Sequence, residues 1–295
     1  MASRVMAGHL IVVRSSPLHS LQDHGRFGFA RFGIAQAGAA DRYSLAWANY
    51  LLGNASGTAA IELTGGGFEA EFSCHQSFAL TGAFADVQLD GAALLPWRSY
   101  QARAGSRLRI GSPRSGNHIY LAVAGGFAIA STLGSVSCSR RDGLGGTDGD
   151  GRGLAAGELL PLTGAVSEAM AVPRSRIPDY RAPLELPLRL GYQAADFSPR
   201  DRARLLAEPY QLSAQFNRMG VRLRHGPALE PPGMEFSEPI ALGAVQVPPD
   251  GQPIVLLNDR QTLGGYPKIG CVLEPALCAL SQRRQGAWVQ FVGAV

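Results

Sequence analysis

The chain has 295 residues, enough for two ordinary domains or one large β-rich domain. Charged residues are sparse at 17%, hydrophobic residues reach 46%, and 37 glycines with 19 prolines suit many short strands joined by tight turns. The formal charge of +4 comes from scattered arginines, with only Arg140-Arg141 and Arg283-Arg284 adjacent, so there is no basic stripe for nucleic acid; an anionic small molecule or an acidic protein partner fits better.

In chain order, residues 9–13 read as the first strand. The apolar run at 10–13 is too short for a signal peptide or a membrane span, and the few cysteines do not make a secreted disulfide framework, so a cytoplasmic protein away from membranes is expected. Gln22-Asp23-His24-Gly25-Arg26 then places an amide, a carboxylate and a guanidinium on one glycine-bearing turn. That set suits a ligand carrying both an amide and a carboxylate, or simply an Asp23–Arg26 pair that holds the turn.

A helix is predicted over 43–52, with Gly53 at its stop and Leu45, Ala48, Leu51 and Leu52 on one face. Asp41 just ahead of it suits a helix cap or a base. Glu62 sits among apolar neighbours and needs a partner if buried. Strands follow at 77–81, 87–89, 107–110 and 119–124. Residues 167–187, rich in proline and arginine and without periodicity, read as a linker or a surface strap between an N-terminal domain, 1–166, and a C-terminal domain, 188–295.

Beyond the divide, strands are predicted at 186–190, 221–223, 254–257 and 287–292. One helix opens at Ser198-Pro199, with serine as cap and proline in the first turn, and ends before Pro209; another covers 275–282. Residues 87–94 and 221–229 share a faint likeness, which suggests two halves of related β topology.

Lys268 is the single lysine among the 27 lysines and arginines of the chain, the rest being arginine. An ammonium there suggests a place where a planar guanidinium does not fit, or else an exposed loop lysine. Around it, Gln246, Asn258, Asp259, Gln261, Thr262 and Tyr266 make a polar wall on a loop that follows an apolar strand. Lys268 is followed by Ile269, which excludes a P-loop. There is no H-E-x-x-H, no G-x-S-x-G and no dinucleotide fingerprint. Cys74, Cys138, Cys271 and Cys278 lack zinc-ligand spacing, so no metal site and reduced, mostly buried thiols are expected.

The ordered set Leu21-Gln22-Asp23-His24-Gly25-Arg26, Gly38-Ala39-Ala40-Asp41, Glu62, Arg218-Met219-Gly220, Ser237-Glu238, Gly243-Ala244-Val245-Gln246-Val247-Pro248-Pro249 and Thr262-Leu263-Gly264-Gly265-Tyr266-Pro267 resembles the biotin-dependent carboxyltransferase family called KipA or allophanate hydrolase subunit 2. Many bacterial members are the C subunit of an ATP-dependent 5-oxoprolinase.

The resemblance implies a mainly β chain of two related cyclophilin-like β-barrel domains with a few short helices. It implies partners as well: a KipI-like B subunit and an A subunit that together open 5-oxoproline to glutamate with ATP used by the complex. Under that resemblance Asp23, Asp41 and Lys268 are candidate catalytic groups, and Gln22, Arg26, Gln246, Asn258, Gln261 and Tyr266 candidate substrate-binding groups. Two other activities of the family stay open, a carboxyltransferase taking carboxybiotin to a urea-like substrate and a non-enzymatic regulator that binds a KipI-like inhibitor. One departure stands out: Gly134-Ser135-Val136-Ser137-Cys138 replaces a usual Gly-Ser-Arg-Ser-Thr, with Arg140 or Arg141 as candidate substitutes for the lost cation.

Overall fold

The computed structural model describes residues 7–233 and 236–294. The chain forms two compact units, Met1–Arg26 with Ala37–Tyr180 and Phe27–Gln36 with Arg181–Val295.

The first unit contains β1 (Gly8–Arg14), β2 (Ser20–Gln22), α1 (Arg42–Tyr50), β3 (Ala60–Thr64), β4 (Phe68–Phe72), β5 (Gln76–Leu89), β6 (Ala92–Leu94), β7 (Arg98–Ala102), β8 (Arg107–Val123) and β9 (Leu159–Leu162). The second holds β10 (Leu184–Leu190), α2 (Pro199–Ala207), β11 (Tyr210–Asn217), β12 (Gly220–Arg224), β13 (Glu238–Pro239), β14 (Ala244–Gln246), β15 (Ile254–Leu256), β16 (Leu263–Gly264), β17 (Lys268–Val272), α3 (Glu274–Ser281) and β18 (Trp288–Gly293). The chain is therefore mainly β with short helices, as its composition suggests.

In the first unit β8 organises a nine-stranded sheet. Its C-terminal half pairs with β3 (Ile61 opposite Leu121), its N-terminal half with β4 (Phe68 opposite Ile110), and β5 runs along most of its length. The four short strands predicted at 77–81, 87–89, 107–110 and 119–124 are thus two long ones. Register shifts between Gly82 and Val87 interrupt the alternation and make each look like two pieces.

Both faces of the β5–β8 pair are covered, which explains their continuous apolar runs. Phe78, Leu80, Leu121 and Val123 face one core, while Ala79, Tyr120 and Ala122 meet Leu45, Ala48, Leu51 and Leu52 of the α1 region on the other. β4 shows the opposite pattern: Phe68, Ala70 and Phe72 point in, and Glu69 and Glu71 point out to Arg109 and Arg107 at 3.1 and 3.0 Å. Residues 165–172 belong to this unit and run along β5 and β7, with Ser167 N donating to Ser77 Oγ, Met170 N to Ser99 Oγ and Val172 N to Trp97 O.

In the second unit seven strands close in the order β10-β17-β14-β15-β12-β11-β18, the seam being a parallel pairing of β10 with β18 (Leu186 opposite Phe291). Closure leaves no open edge in this ring. Leu186, Leu212, Val221, Leu223, Val245, Val255, Ile269 and Phe291 are fully buried in one cluster and fill the interior. Ser198 caps α2 by accepting from Asp201 N at 3.0 Å and donating to the Asp201 carboxylate at 2.8 Å, with Pro199 in the first turn.

The likeness of 87–94 to 221–229 does not extend to local geometry. The first closes a hairpin in which Val87 faces Leu94, whereas in the second only β12 is strand, and 225–229 is irregular. All four cysteines are free, but only Cys138 is buried; Cys74, Cys271 and Cys278 are half-buried, so the expectation of mostly buried thiols is corrected. Among the described residues no helix is long and apolar enough to cross a membrane.

Candidate active site

The first polar set lies at the end of β2. The Gln22 amide is fully buried and donates to Ser20 Oγ at 2.9 Å and Cys138 O at 3.1 Å. Asp23 accepts from Gly25 N (2.7 Å), Ser135 Oγ (2.6 Å), Ser137 Oγ (2.6 Å) and Val136 N (2.8 Å). Arg26 is buried, with Nε donating to Thr132 O at 3.2 Å and Nη2 donating to the carbonyls of Ser135 and Ser137.

Asp23 and Arg26 do not pair with each other as the turn reading expects. The carboxylate gathers the N–H and O–H groups of the 135–137 loop, and the guanidinium gathers its carbonyls. A Cβ at Gly145, whose φ is +75°, would collide with Ser137 O and the Arg26 guanidinium, so only glycine closes this cradle. Val136, the departure from the resembled pattern, contributes a backbone N–H to Asp23. Arg140 reaches Pro17 O at 3.4 Å and is exposed.

Asp41 is 2% exposed and caps α1, accepting from Ser44 N at 3.0 Å and Ser44 Oγ at 2.6 Å. Its own N–H donates to Tyr120 Oη at 2.8 Å. The Tyr120 hydroxyl donates to Glu62 Oε2 at 2.6 Å, and Ala40 N donates to the same oxygen at 2.8 Å, which supplies the partners a buried Glu62 requires. Burial first, then the charges of Glu62 and Asp41, push the Tyr120 phenol far above its ordinary range, so it stays a neutral donor.

The second polar set lies in the C-terminal unit, and Lys268 is its centre. Lys268 begins β17 rather than sitting in the expected loop, and it is the cross-strand partner of Gln246 at the end of β14. Its side chain is only 12% exposed, and Nζ donates to Glu238 Oε2 at 2.8 Å. The same oxygen accepts from Gln193 Nε2 at 3.2 Å and from the Tyr192 hydroxyl. Gln193 Oε1 in turn accepts the Lys268 backbone N–H at 2.8 Å.

Gln261 Nε2 meets Gln246 Oε1 at 3.4 Å, and Gln246 Nε2 lies at 3.4 Å from Tyr266 O. Both contacts are long, and Gln246 itself is buried. Gly264 passes so close to them that a Cβ there would stand 2.8 Å from Gln246 Nε2. The Tyr266 ring is half exposed.

Asn258 is buried at the end of the β15 segment, and Asp259 is held by Arg218 through bonds of 2.8 and 3.0 Å. The structure thus brings Lys268, Gln246, Gln261 and the Tyr266 backbone together. It adds Glu238, Tyr192 and Gln193, which the sequence reading leaves without a role. The available signal was the lone lysine itself, since a half-buried ammonium needs a carboxylate.

The bonds from Lys268, first, and Tyr192 hold the Glu238 carboxyl below the usual carboxylate range. A depressed carboxylate contributes stability that is present above its unfolded pKa, about 4.3, and lost as pH falls through the lower folded value. Glu238→Gln is therefore expected to unfold at slightly lower denaturant than wild type at neutral pH, with the gap closing once pH drops below about 4. A gap that stays constant in urea titrations across that range would show that the pair contributes no such charge-dependent stability.

Comparison with known proteins identifies the family of the chain. The carboxyltransferase domain family, subdomains A and B, matches residues 32–293, and the chain belongs to that family. It is 38% identical to the C subunit of the Haemophilus influenzae 5-oxoprolinase over 92% of this chain and 87% of that protein. It is 30% identical to the urea amidolyase of Saccharomyces cerevisiae, over 92% of this chain but only 16% of that longer protein. Among solved structures, TTHA0988 superposes with a TM-score of 0.86 at 32% identity, covering 96% of this chain; the chain spans 56% of TTHA0988.

Proposed function

We propose that this chain is the C subunit of a cytoplasmic, ATP-dependent 5-oxoprolinase complex that opens 5-oxo-L-proline to L-glutamate and is active only when joined to its A and B subunits. The observation that carries this reading is the match to a 5-oxoprolinase C subunit over nearly the full length of both chains. The polar set around Lys268 supports it. The substrate has a carboxylate and a lactam amide; the ammonium suits the first or the charge that develops on the lactam oxygen, and Gln246 with Gln261 suit the second.

A lactam is a poor electrophile, and ATP supplies the activation of its oxygen at the level of the complex. This chain has no P-loop, so we assign it no triphosphate cradle. The work of its own residues is to bind, orient and stabilise charge. In this reading Asp23, Arg26 and Asp41 are structural, because loop donors, loop carbonyls and the α1 N-terminus occupy them.

The test is glutamate release from 5-oxoproline plus ATP by this chain alone and with its candidate A and B partners. Release by the three together and none by the chain alone is expected. Robust turnover by the isolated chain would refute the dependence on partners, and no turnover by the full set would refute the substrate.

The second reading, a carboxyltransferase acting on a urea-like substrate with carboxybiotin, draws on the family's name and on the urea amidolyase match. It predicts turnover only with a biotin-bearing protein. A KipA-type regulator would bind a KipI-like partner and show no turnover in either assay.

A further inference from the structure

We infer that Glu238 is a positioning residue of the site: it holds the Lys268 ammonium at one fixed point, with Tyr192 and Gln193 as its struts, so that the remaining N–H groups of Lys268 meet the carboxylate or lactam oxygen of the substrate. The inference rests on the proposed function and adds residues to it.

The geometry is a closed clamp. Gln193 takes the Lys268 backbone N–H on its oxygen at 2.8 Å and gives its amide N–H to Glu238 Oε2 at 3.2 Å; that oxygen takes Lys268 Nζ at 2.8 Å. Both ends of the lysine, backbone and head, are thus tied to the same pair of side chains, and Tyr192 adds a third donor to the oxygen. The rotamer entropy that a lysine otherwise loses on binding a ligand is therefore lost on folding instead.

Donor counting points to a ligand. An ammonium carries three N–H groups, and among the described residues Lys268 Nζ has one acceptor, Glu238, although its side chain is only 12% exposed. Two of its N–H groups have no acceptor among the described residues, and an oxyanion or carbonyl oxygen would complete them. Glu238, 33% exposed, keeps its second oxygen outside the clamp, so the carboxylate is set to orient the lysine rather than to bury a neutral pair. The surroundings are amide groups, Gln246 across the strand from Lys268 and Gln261 beside Gln246, which recognise an amide without competing for the cation.

The experiment compares wild type, Glu238→Gln and Tyr192→Phe. Because the chain has a single lysine, labelling with lysine enriched in nitrogen-15 at Nζ gives one side-chain ammonium signal, read on the isolated chain. Glu238→Gln is expected to shift that signal and to speed exchange of its protons with water. In the assembled complex, kcat for glutamate release is expected to fall about ten-fold or more, with KM changed by less than about three-fold. Tyr192→Phe, which keeps the ion pair, should fall between the two.

If the wild-type complex releases no glutamate, the proposed function fails, and this role fails with it. If wild type turns over and Glu238→Gln keeps its kcat, the positioning role alone is overturned. A lower kcat with an unmoved lysine signal also overturns it, since Glu238 would then act by some route other than Lys268.

Discussion

Replacing Lys268 with methionine is expected to reduce glutamate release by the assembled complex about ten-fold or more, equivalent to about 1.4 kcal/mol of transition-state stabilisation, while the chain still folds. Methionine keeps most of the apolar stem, so packing at the start of β17 changes little. The stranded Glu238 retains Gln193 and Tyr192 as donors and is one-third exposed, so water solvates what the ammonium leaves and the folding cost stays small. Lys268→Arg should not restore the rate, because a planar fork cannot occupy the point that Gln193 and Glu238 define for a compact head group. Comparing both variants with wild type by turnover and by urea unfolding decides the matter. Normal kinetics from a folded Lys268→Met complex would return the lysine to a purely structural ion pair.

What the sequence discloses here follows from how local each interaction is. The helices α1 and α2 were legible because a cap and its recipient lie within three residues, Asp41 with Ser44 and Ser198 with Asp201. β4 escaped notice although it alternates cleanly, since five residues between glycine and serine make a weak signal. β14 and β17 escaped because they are short and begin or end in polar residues, Gln246 and Lys268, which read as loop.

The candidate site divides along the same line. Sequence order places Gln22, Asp23 and Arg26 together, and the structure keeps them together, yet it points their polar groups at residues more than a hundred positions away. No local pattern reports that. Glu238 is a similar case: it stands 30 residues before Lys268, on a strand of two residues, and only the chemistry of a withdrawn ammonium asks for it.

Asp23→Ala is expected to lower stability by about 3 kcal/mol, the loss typical of leaving the partners of a partly buried charge without it. Four donors converge on this carboxylate, and three of them belong to Ser135, Val136 and Ser137, which are buried and have little access to water in its place. The Arg26 guanidinium braces the carbonyl side of the same loop, so loosening the loop also exposes a buried cation. Asp23→Asn keeps one acceptor oxygen but sets an amide donor against another donor, and about half the loss is expected. Unfolding curves for both variants, set beside glutamate release by the corresponding complexes, separate an anchor from a base. An anchor loses stability in the order alanine, asparagine, wild type, with activity following the folded fraction. A base would leave the unfolding curves in place while both substitutions abolish turnover, and that result would return Asp23 to the catalytic centre.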